Sequence, residues 1–586
     1  MNRLIIIFIV LSSQLHPTNA SNADDLEKLY DKEWQYRMEQ NPLMARSMGD
    51  KTTKLKFQDI SLDRLTKSHA FYQAIFSELS AIDVNILTTE QLVNYQIFHD
   101  QIKNQLANFE YGMYQIPFNS DSGFYSGFAR AQSNFRFNTV AEYEQYLDYL
   151  DSWPAHVEQQ ITHMKAGLKR GFTQPKEILS TLPERVYGYI SIDARESVFY
   201  RPFKAMGNKF SVTVRERLKK RAETIISNSV NHGYQVLGDF FKAVYIPNAK
   251  TSIAASDLPQ GKAFYDNRIR HYTTLDMTAD EIHQLGLNEV KRIRNEMDAI
   301  IKKVEFTGTF AEFLQFLRTD PQFYAKTEEE LLSRASRIAK RADAALPALF
   351  KQLPRTPYGV EPVPKELAAN YTTGRYVSAP RNSRLPGYYW VNTYALDKRP
   401  LYELEALSLH EAVPGHHLQI ALNQELENLP NFRQFSYISA FGEGWGLYSE
   451  WLGIEMGFYS DPYSDFGRLT YEMWRAVRLV VDTGMHAMGW SRDKALAYLA
   501  DNTALSLLNV RTEIDRYISW PAQALSYKIG ELTIKRLRAE AESRLADNFD
   551  VREFHDVVLR HGSVPLNVLE QNVAGYIKST LAEVKK

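Results

Sequence analysis

Apolar residues recur at helical spacing along most of the chain. Segment 24–48 opens with acidic residues and then repeats apolar positions with the period of an α-helix. Thr278 and Glu281 have the spacing of an N-terminal capping box, which predicts a helix over 282–304. The helical period is also found in segments 62–106, 141–171, 175–182 and 210–244, and from 401 to the end. We therefore predict a mainly α fold.

The segment 354–394 interrupts the helical pattern. It is rich in proline and glycine and holds short β-prone runs at 371–373, 375–377 and 388–394. These runs predict a small antiparallel sheet within the helical domain. The run 388–394 is either an exposed edge strand that binds an extended peptide or an aromatic strand packed on the helices. In the first case Asn392 would lie within reach of the peptide.

The N-terminus has the pattern of a secretory signal. Arg3 precedes the apolar run 4–11, and small residues follow at Thr18 and Ala20. We predict that residues 1–20 are a signal peptide, in preference to an uncleaved anchor. Residues 21–586 show no linker or internal repeat, so we expect them to form one mainly helical catalytic domain.

Composition excludes several classes of function. The formal net charge of -1 gives no reason to expect a nucleic-acid or anionic-membrane partner. The absence of cysteine excludes disulfides, thiolate metal ligands and a cysteine that carries lipid. After signal removal we expect no membrane span. These features predict a periplasmic or secreted protein, and they leave its oligomeric state open.

The most informative motif is HEAVPGHH at 410–417. Zinc peptidase helices place two histidines four positions apart, but here Pro414 follows His410 at that spacing. Proline interrupts a helix, and a bulge that absorbs two residues would bring His416 to the required position. Glu411 would then face the open metal position as the general base. From spacing alone, His417 stays an alternative to His416.

The run EGWGLYSE at 443–450 supplies a third ligand. Glu443 completes a set of two imidazoles and one carboxylate, which is typical of a catalytic zinc site that keeps one position open. Glu450 lies on the same helix face and would either orient a ligating histidine or be solvated. We expect one Zn²⁺ per chain, with manganese, cobalt and nickel as alternatives.

These motifs carry a family resemblance. Together with the runs 475–478, 482–486, 489–492 and 523–530, they resemble the bacterial "domain of unknown function 885" family. That family resembles the gluzincin metallopeptidases, including carboxypeptidase Taq and dipeptidyl peptidase III. The resemblance covers most of the mature chain and implies a large gluzincin-like helical metallopeptidase fold that binds zinc. The family motif H-E-x-x-P-G-H favours His416 over His417 as the ligand.

Peptide hydrolysis also needs a donor for the oxyanion. Tyr527 and His486 lie within the motif runs and are the candidates, with Asp482 placed to fix the tautomer of His486. Core roles for both residues are the alternative. Arg478 could hold the terminal carboxylate of a substrate in bidentate fashion, although pairing with a nearby acidic residue is individually more common.

The sequence thus predicts a zinc metallopeptidase that acts on short or unfolded peptides. Two alternatives stay open. One is a metal-dependent amidase that acts on cell-wall peptides or another amide, and the other is a noncatalytic helical envelope or binding protein with a structural metal. The sequence does not decide between exopeptidase and endopeptidase action.

Overall fold

The computed structural model describes residues 18–50, 55–368, 371–381 and 384–584. Most of the predicted signal peptide, residues 1–17, lies outside the described residues. The described chain is mainly helical, as the hydrophobic pattern predicts. Within it, none of the helices combines the length and the apolar character that crossing a membrane requires.

The first part of the chain, taken as the described residues up to 350, forms helices and their connections. Its α-helices are α1 (Thr18–Gln40), α2 (Pro42–Ser47), α3 (Leu62–Ser80), α4 (Thr89–Tyr111), α5 (Phe124–Phe128), α6 (Val140–Asp151), α7 (Trp153–Arg170), α8 (Leu182–Tyr187), α9 (Arg201–Lys204), α10 (Val212–Ile225), α11 (Asn231–Phe240), α12 (Ile246–Asn248), α13 (Gly261–Thr273), α14 (Ala279–Lys303), α15 (Phe310–Thr319) and α16 (Glu328–Leu349).

The second part contains a small sheet followed by further helices. The strands are β1 (Tyr358–Pro362), β2 (Gly374–Val377) and β3 (Gly387–Val391). The helices are α17 (Lys365–Ala368), α18 (Leu404–Glu411), α19 (His416–Glu425), α20 (Ser439–Leu452), α21 (Pro462–Ala487), α22 (Arg492–Asn502), α23 (Leu507–Ser519), α24 (Ser526–Leu545), α25 (Val551–Leu559) and α26 (Leu566–Val584).

Local sequence explains where many helices begin. The predicted capping box is confirmed, because the Thr278 hydroxyl accepts the Glu281 N–H while the Glu281 carboxylate accepts the Thr278 N–H. The same reciprocal arrangement starts α4 at Thr88, α6 at Thr139 and α15 at Thr309. Each box satisfies backbone donors that a helix start leaves without partners.

Helix α21 is the centre of the second part of the chain. Its residues are buried from Phe466 to His486, although several of them are charged. Buried charges are stable when they are paired. Accordingly, Glu472 lies 2.8 Å from the Lys528 ammonium of α24, and Arg478 lies 3.0 Å from Glu513 of α23. These ion pairs fix α21 against the helices that surround the motif residues.

The sheet is mixed, so the prediction of a purely antiparallel sheet is wrong. The strand order is β1-β3-β2, with β1 parallel and β2 antiparallel to β3. The missed strand is β1, which ends at Pro362 and pairs with a partner almost thirty residues away in sequence. A parallel partner of this kind is not signalled by a hairpin turn.

The position of β3 in the sheet also distinguishes between the two roles predicted for the run 388–394. β3 lies between β1 and β2, so it is the central strand and not an exposed edge. Tyr389 is fully buried, which agrees with the alternative of an aromatic strand packed on the helices. Among the described strands, β1 and β2 form the two edges of the sheet. Residues 371–373 precede β2 and are not part of it.

Candidate metal centre

The HEAVPGHH motif lies at a break between two helices. Helix α18 ends at Glu411 and α19 begins at His416. The N–H of Gly415 donates to the carbonyl of Leu409 at 3.0 Å, six positions earlier, whereas an α-helix uses four. Two extra residues are therefore accommodated, as predicted. They are accommodated by a break into two helices and not by a bulge within one.

Glycine is required at position 415. A Cβ atom there would lie 1.9 Å from the His410 carbonyl oxygen and 2.4 Å from that of Leu409. The connection is also held from outside, because the indole N–H of Trp445 donates to the carbonyl of Pro414 at 2.8 Å. The Val413–Pro414 peptide bond is cis. The path of the chain between the two histidines is thus fixed by backbone contacts.

The break brings three candidate ligands together. One donor atom each from His410, His416 and Glu443 all lie within 4.8 Å of one another. Oε2 of Glu443 is 3.7 Å from Nε2 of His410 and 3.5 Å from Nε2 of His416. These separations are long for hydrogen bonds. Donors that share one tetrahedral zinc ion at its usual bond lengths lie about 3.3 Å apart, so the set fits such an ion.

The electrostatics of the cluster also suit a cation. Burial lowers the pKa of His410, but the carboxylates of Glu443 and Glu450 outweigh burial and raise it to about 10. For Glu443, burial raises the pKa, but His410 and His416 outweigh it and hold the pKa well below its usual range. The pocket between these side chains therefore favours positive charge at its centre.

Glu450 orients the first histidine. Its Oε1 lies 2.7 Å from Nδ1 of His410, and its side chain is 2% exposed. The guanidinium of Arg475 on α21 lies 3.5 Å from the same oxygen. A carboxylate on Nδ1 fixes the histidine tautomer that presents the Nε2 lone pair. Of the two roles left open for Glu450, the buried position agrees with orientation of the ligand and not with a solvated carboxylate.

Two glycines let helix α20 approach its neighbours. A Cβ at Gly446 would lie 2.6 Å from Cε1 of His410, so this glycine makes room for the imidazole. A Cβ at Gly444 would instead lie 2.5 Å from Cα of Gly530 on α24. Helix α20 is therefore in close contact with α18 on one side and with α24 on the other.

Glu411 lies beside the cluster and contacts the sheet. Its Oε2 accepts the backbone N–H of Tyr376 in β2 at 2.7 Å. Because β2 pairs only with β3 among the described strands, this N–H belongs to the free edge of the sheet. Glu411 is not part of the three-residue cluster, which agrees with a role other than ligation.

His417 faces away from the cluster. Its Nδ1 lies 2.9 Å from the hydroxyl of Tyr376, and its ring centroid lies 4.5 Å from that of Tyr358. Burial lowers the pKa of His417 to about 4. The second candidate ligand is consequently His416.

Tyr437 also contacts the cluster, although it belongs to none of the sequence motifs. Its hydroxyl donates to Oε1 of Glu443 at 3.0 Å, on the oxygen opposite the one that faces the histidines. Tyr437 is 51% exposed overall, but loss of hydration at its hydroxyl, followed by the charge of Glu443, raises the pKa of Tyr437 above its usual value. Tyr437 precedes α20 in a connecting segment, and its one sequence signal is its position six residues before Glu443.

Arg375 of β2 is a second residue outside the sequence motifs. Loss of hydration lowers its pKa, but the nearby Tyr371, Glu411 and Tyr527 outweigh this effect and raise it. Arg375 thus acts through space on both Glu411, the candidate base, and Tyr527 of α24. An arginine between prolines and aromatic residues carries no motif that would have identified it.

The structure does not bring His486 to the cluster. Its Nδ1 accepts the N–H of Ala255 at 3.1 Å, and its Nε2 lies 3.0 Å from the carbonyl of Tyr517. Both ring nitrogens are therefore used by the backbone. The expected contact between Asp482 and His486 is not formed. Asp482 instead accepts hydrogen bonds from the Tyr265 hydroxyl at 2.6 Å and from the Ala522 N–H at 3.1 Å. Both residues join helices in the core.

Tyr527 and Arg478 lie together beside the site. The guanidinium carbon of Arg478 is 4.2 Å from the centroid of the Tyr527 ring. Nη2 of Arg516 lies 3.4 Å from the Tyr527 hydroxyl. Arg478 also forms an ion pair with Glu513, in agreement with the alternative prediction that this arginine pairs with a nearby acidic residue. Tyr527 therefore stays a candidate donor to the oxyanion, and Arg478 and Arg516 hold its side chain in position.

Asn392 has a structural role. It is fully buried, and its Nδ2 donates to the carbonyls of Ala368, Tyr371 and Thr372 at 2.9 to 3.1 Å. These bonds hold the segment that leads into β2. Asn392 consequently supports the sheet edge next to Glu411, but its amide is not directed at a peptide.

Fold and site define this chain as a mainly helical protein with a candidate two-histidine, one-glutamate metal centre. The chain belongs to the family described as "Bacterial protein of unknown function (DUF885)", whose model matches residues 42–573. No curated protein matches the chain.

Two solved structures are similar over nearly the whole chain. The first is described as "the putative lipoprotein from Colwellia psychrerythraea", with 29% identity and a TM-score of 0.89. The match covers 95% of this chain and 100% of that one. The second is described as "a putative lipoprotein of unknown function from Shewanella oneidensis", with 18% identity and a TM-score of 0.72. It covers 95% of this chain and 99% of that one, and it bears on the fold alone.

Proposed function

We propose that the protein is a zinc-dependent hydrolase of peptide bonds. The observation that carries the proposal is the convergence of His410, His416 and Glu443, with Glu411 beside them but outside the ligand set. Three protein ligands leave one tetrahedral position for water or substrate, which is the arrangement of catalytic zinc sites. A structural zinc site would be closed by a fourth protein ligand.

The chemistry requires a Lewis acid and a base. Zinc bound by the three ligands would polarise the scissile carbonyl and increase the acidity of the attacking water. Glu411 accepts the proton of that water and later donates it to the leaving amine. The hydrogen bond from the Tyr376 N–H holds the Glu411 carboxylate in one orientation during both transfers.

The edge strand β2 is suited to position an extended peptide. A substrate that pairs with the other backbone groups of the β2 edge would run past Glu411, because the Tyr376 N–H on this edge is bonded to the Glu411 carboxylate. The hydroxyl of Tyr527 is the candidate donor to the oxyanion, because the hydroxyl of Tyr437 already donates to Glu443. The Arg375 guanidinium supplies positive charge on the same side.

We also propose a class of substrates and a cellular location for the protein. An edge strand forms hydrogen bonds to the main chain of an extended peptide and not to the surface of a folded protein. Short or unfolded peptides are therefore the expected substrates. The apolar N-terminal run and the word lipoprotein in the description of the Colwellia structure support an extracytoplasmic protein. Since the chain contains no cysteine, we expect a free periplasmic or secreted protein.

The test combines metal analysis with product identification. Purified protein should hold one zinc per chain and cleave members of a mixed peptide pool, read by mass spectrometry, with chelated protein as the control. Cleavage of cell-wall fragments in place of linear peptides would favour an amidase. Stoichiometric zinc without hydrolysis of any amide would contradict the proposal and favour a structural metal.

A further inference from the structure

A partly open cavity lies apart from the candidate metal centre. It has a volume of about 260 Å³ and is lined by residues from segments 113–123, 173–175, 250–272 and 518–521. Its walls are mostly apolar, formed by side chains that include Ile116, Phe118, Ile253, Leu258, Phe264 and Ile518. The three candidate metal ligands are not among its lining residues.

Two cations line this apolar cavity. Arg268 is 4% exposed, and its guanidinium donates to the neutral amide oxygens of Asn267 and Asn108, at 3.1 Å and 3.0 Å. Lys250 donates to the carbonyl of Ala254 at 2.7 Å. Within the described residues, neither side chain forms an ion pair with a carboxylate. Each keeps further N–H donors, because an ammonium has three and a guanidinium five.

Arg268 is buried and Lys250 is partly buried, and loss of hydration without a counter-charge is costly for a cation. Loss of hydration accordingly lowers the pKa of Lys250 to about 8 and also lowers the pKa of Arg268. Asp257 is the carboxylate that acts on Lys250 through space, but it accepts a hydrogen bond from Ser252 instead of contacting the ammonium. Since both cations line the same cavity, an anion there would supply the missing counter-charge and offset this cost.

We propose that this cavity binds a small molecule with an anionic head group and an apolar body. The head would contact Lys250 and Arg268, and the body would replace water against the apolar wall. A volume of 260 Å³ corresponds to about nine waters, which suits a chain of the size of octanoate. A carboxylate and a phosphate monoester share the required head-group chemistry.

Calorimetric titration of the full chain tests the proposal. Octanoate and octyl phosphate are the anionic probes, and octan-1-ol is the neutral probe of the same length. We expect the tighter of the two anions to bind at least about tenfold more strongly than the alcohol, because the charged head gains hydrogen bonds to buried cations. Whichever anion binds more tightly identifies the head group. Equal binding of the alcohol, or no binding of either anion, would overturn the proposal.

Two variants identify the residues. Lys250→Gln and Arg268→Gln should each weaken anion binding by about tenfold or more and leave alcohol binding unchanged. Lys302→Gln removes an exposed lysine of α14 as the matched control and should bind as the unchanged protein does. Unchanged anion binding in both cavity variants would overturn the assignment. If a variant does not fold, the comparison of anion and alcohol binding on the unchanged chain still tests whether the cavity prefers an anionic head group. Binding is measured without turnover, so the result is independent of the proposed hydrolysis.

Discussion

Nδ1 of His410 lies 2.7 Å from Oε1 of Glu450, forty positions further along the chain and on a different helix. This contact joins the two sequence motifs before any metal is considered. It directs Nε2 of the imidazole toward Glu443, and Arg475 of the central helix holds the other side of the same carboxylate oxygen. The geometry of the centre therefore depends on α18, α20 and α21 together.

Glu450→Gln should weaken zinc binding by about 10- to 100-fold, since the amide replaces a charged partner of His410. Affinity is measured by competition with a chelator. Glu427→Gln removes an exposed carboxylate and should bind zinc as the unchanged protein does. Equal affinity in the two variants would show that Glu450 has no influence on the ligand.

Glu411→Gln should lower peptide hydrolysis by about 10²- to 10⁴-fold, because the amide cannot accept the proton of water. Zinc content should be unchanged, since the glutamine oxygen can still accept the Tyr376 N–H. Glu405→Gln is the matched control on the same helix, because Glu405 contacts Ser464 and the N–H of Tyr459 instead of the cluster. Full activity of Glu411→Gln would remove the proposed base.

Gly446→Ala should reduce the zinc content of the purified protein, because the new methyl group would lie 2.6 Å from Cε1 of His410 and displace the ring. Gly575→Ala is a helical control with nothing within 4 Å of the new atom, and it should keep full zinc content. Metal analysis and thermal unfolding of the zinc-free proteins separate loss of the site from loss of the fold. Full zinc content in Gly446→Ala would contradict the close contact.

The two tyrosines should have separable roles. Tyr437→Phe removes a hydrogen bond to Glu443 and should weaken zinc binding by about tenfold. Tyr527→Phe should lower kcat and leave zinc binding unchanged, as expected of a donor to the oxyanion. Chelator competition and steady-state kinetics on both variants check this division. The opposite pattern would exchange the two assignments.

Acid should destabilise the protein partly through His486. Burial lowers its pKa to about 4 in the folded chain, whereas an unfolded histidine titrates near 6.5. Between these values the unfolded state binds the additional proton, so stability falls as the pH falls from about 6.5 to 4. His486→Gln should show a shallower fall over this range in denaturant unfolding at a series of pH values. An identical slope would mean that His486 is charged in the fold.

Much of the fold and the centre of the site could be predicted from the sequence. The helical period and the capping box of α14 depend on neighbouring residues, so they are visible in one chain. The candidate ligand set could be inferred because Pro414 stands where the second histidine of a zinc-peptidase helix would be. Two extra residues must then be accommodated before His416 can reach that position. The mixed sheet could not, because parallel pairing of β1 with β3 joins distant segments without a turn signal.

The residues around the centre were harder to predict. Tyr437 and Arg375 reach the site from connecting and strand segments, where a single tyrosine or arginine has no distinctive spacing. For His486, proximity to Asp482 in sequence suggested a pair. The ring instead bonds backbone groups of two other segments, and those contacts depend on tertiary packing.

The hydrogen bond from Gly415 to Leu409 relates this motif to the more common one. A deletion of Val413 and Pro414 would leave His-Glu-Ala-Gly-His, in which the same two backbone atoms are separated by one ordinary helical turn. The two versions of the candidate metal-binding motif thus differ in length by two residues, and in both versions the second histidine directly follows the glycine. An evolutionary path between them would need no rearrangement of the partner helix that carries the glutamate.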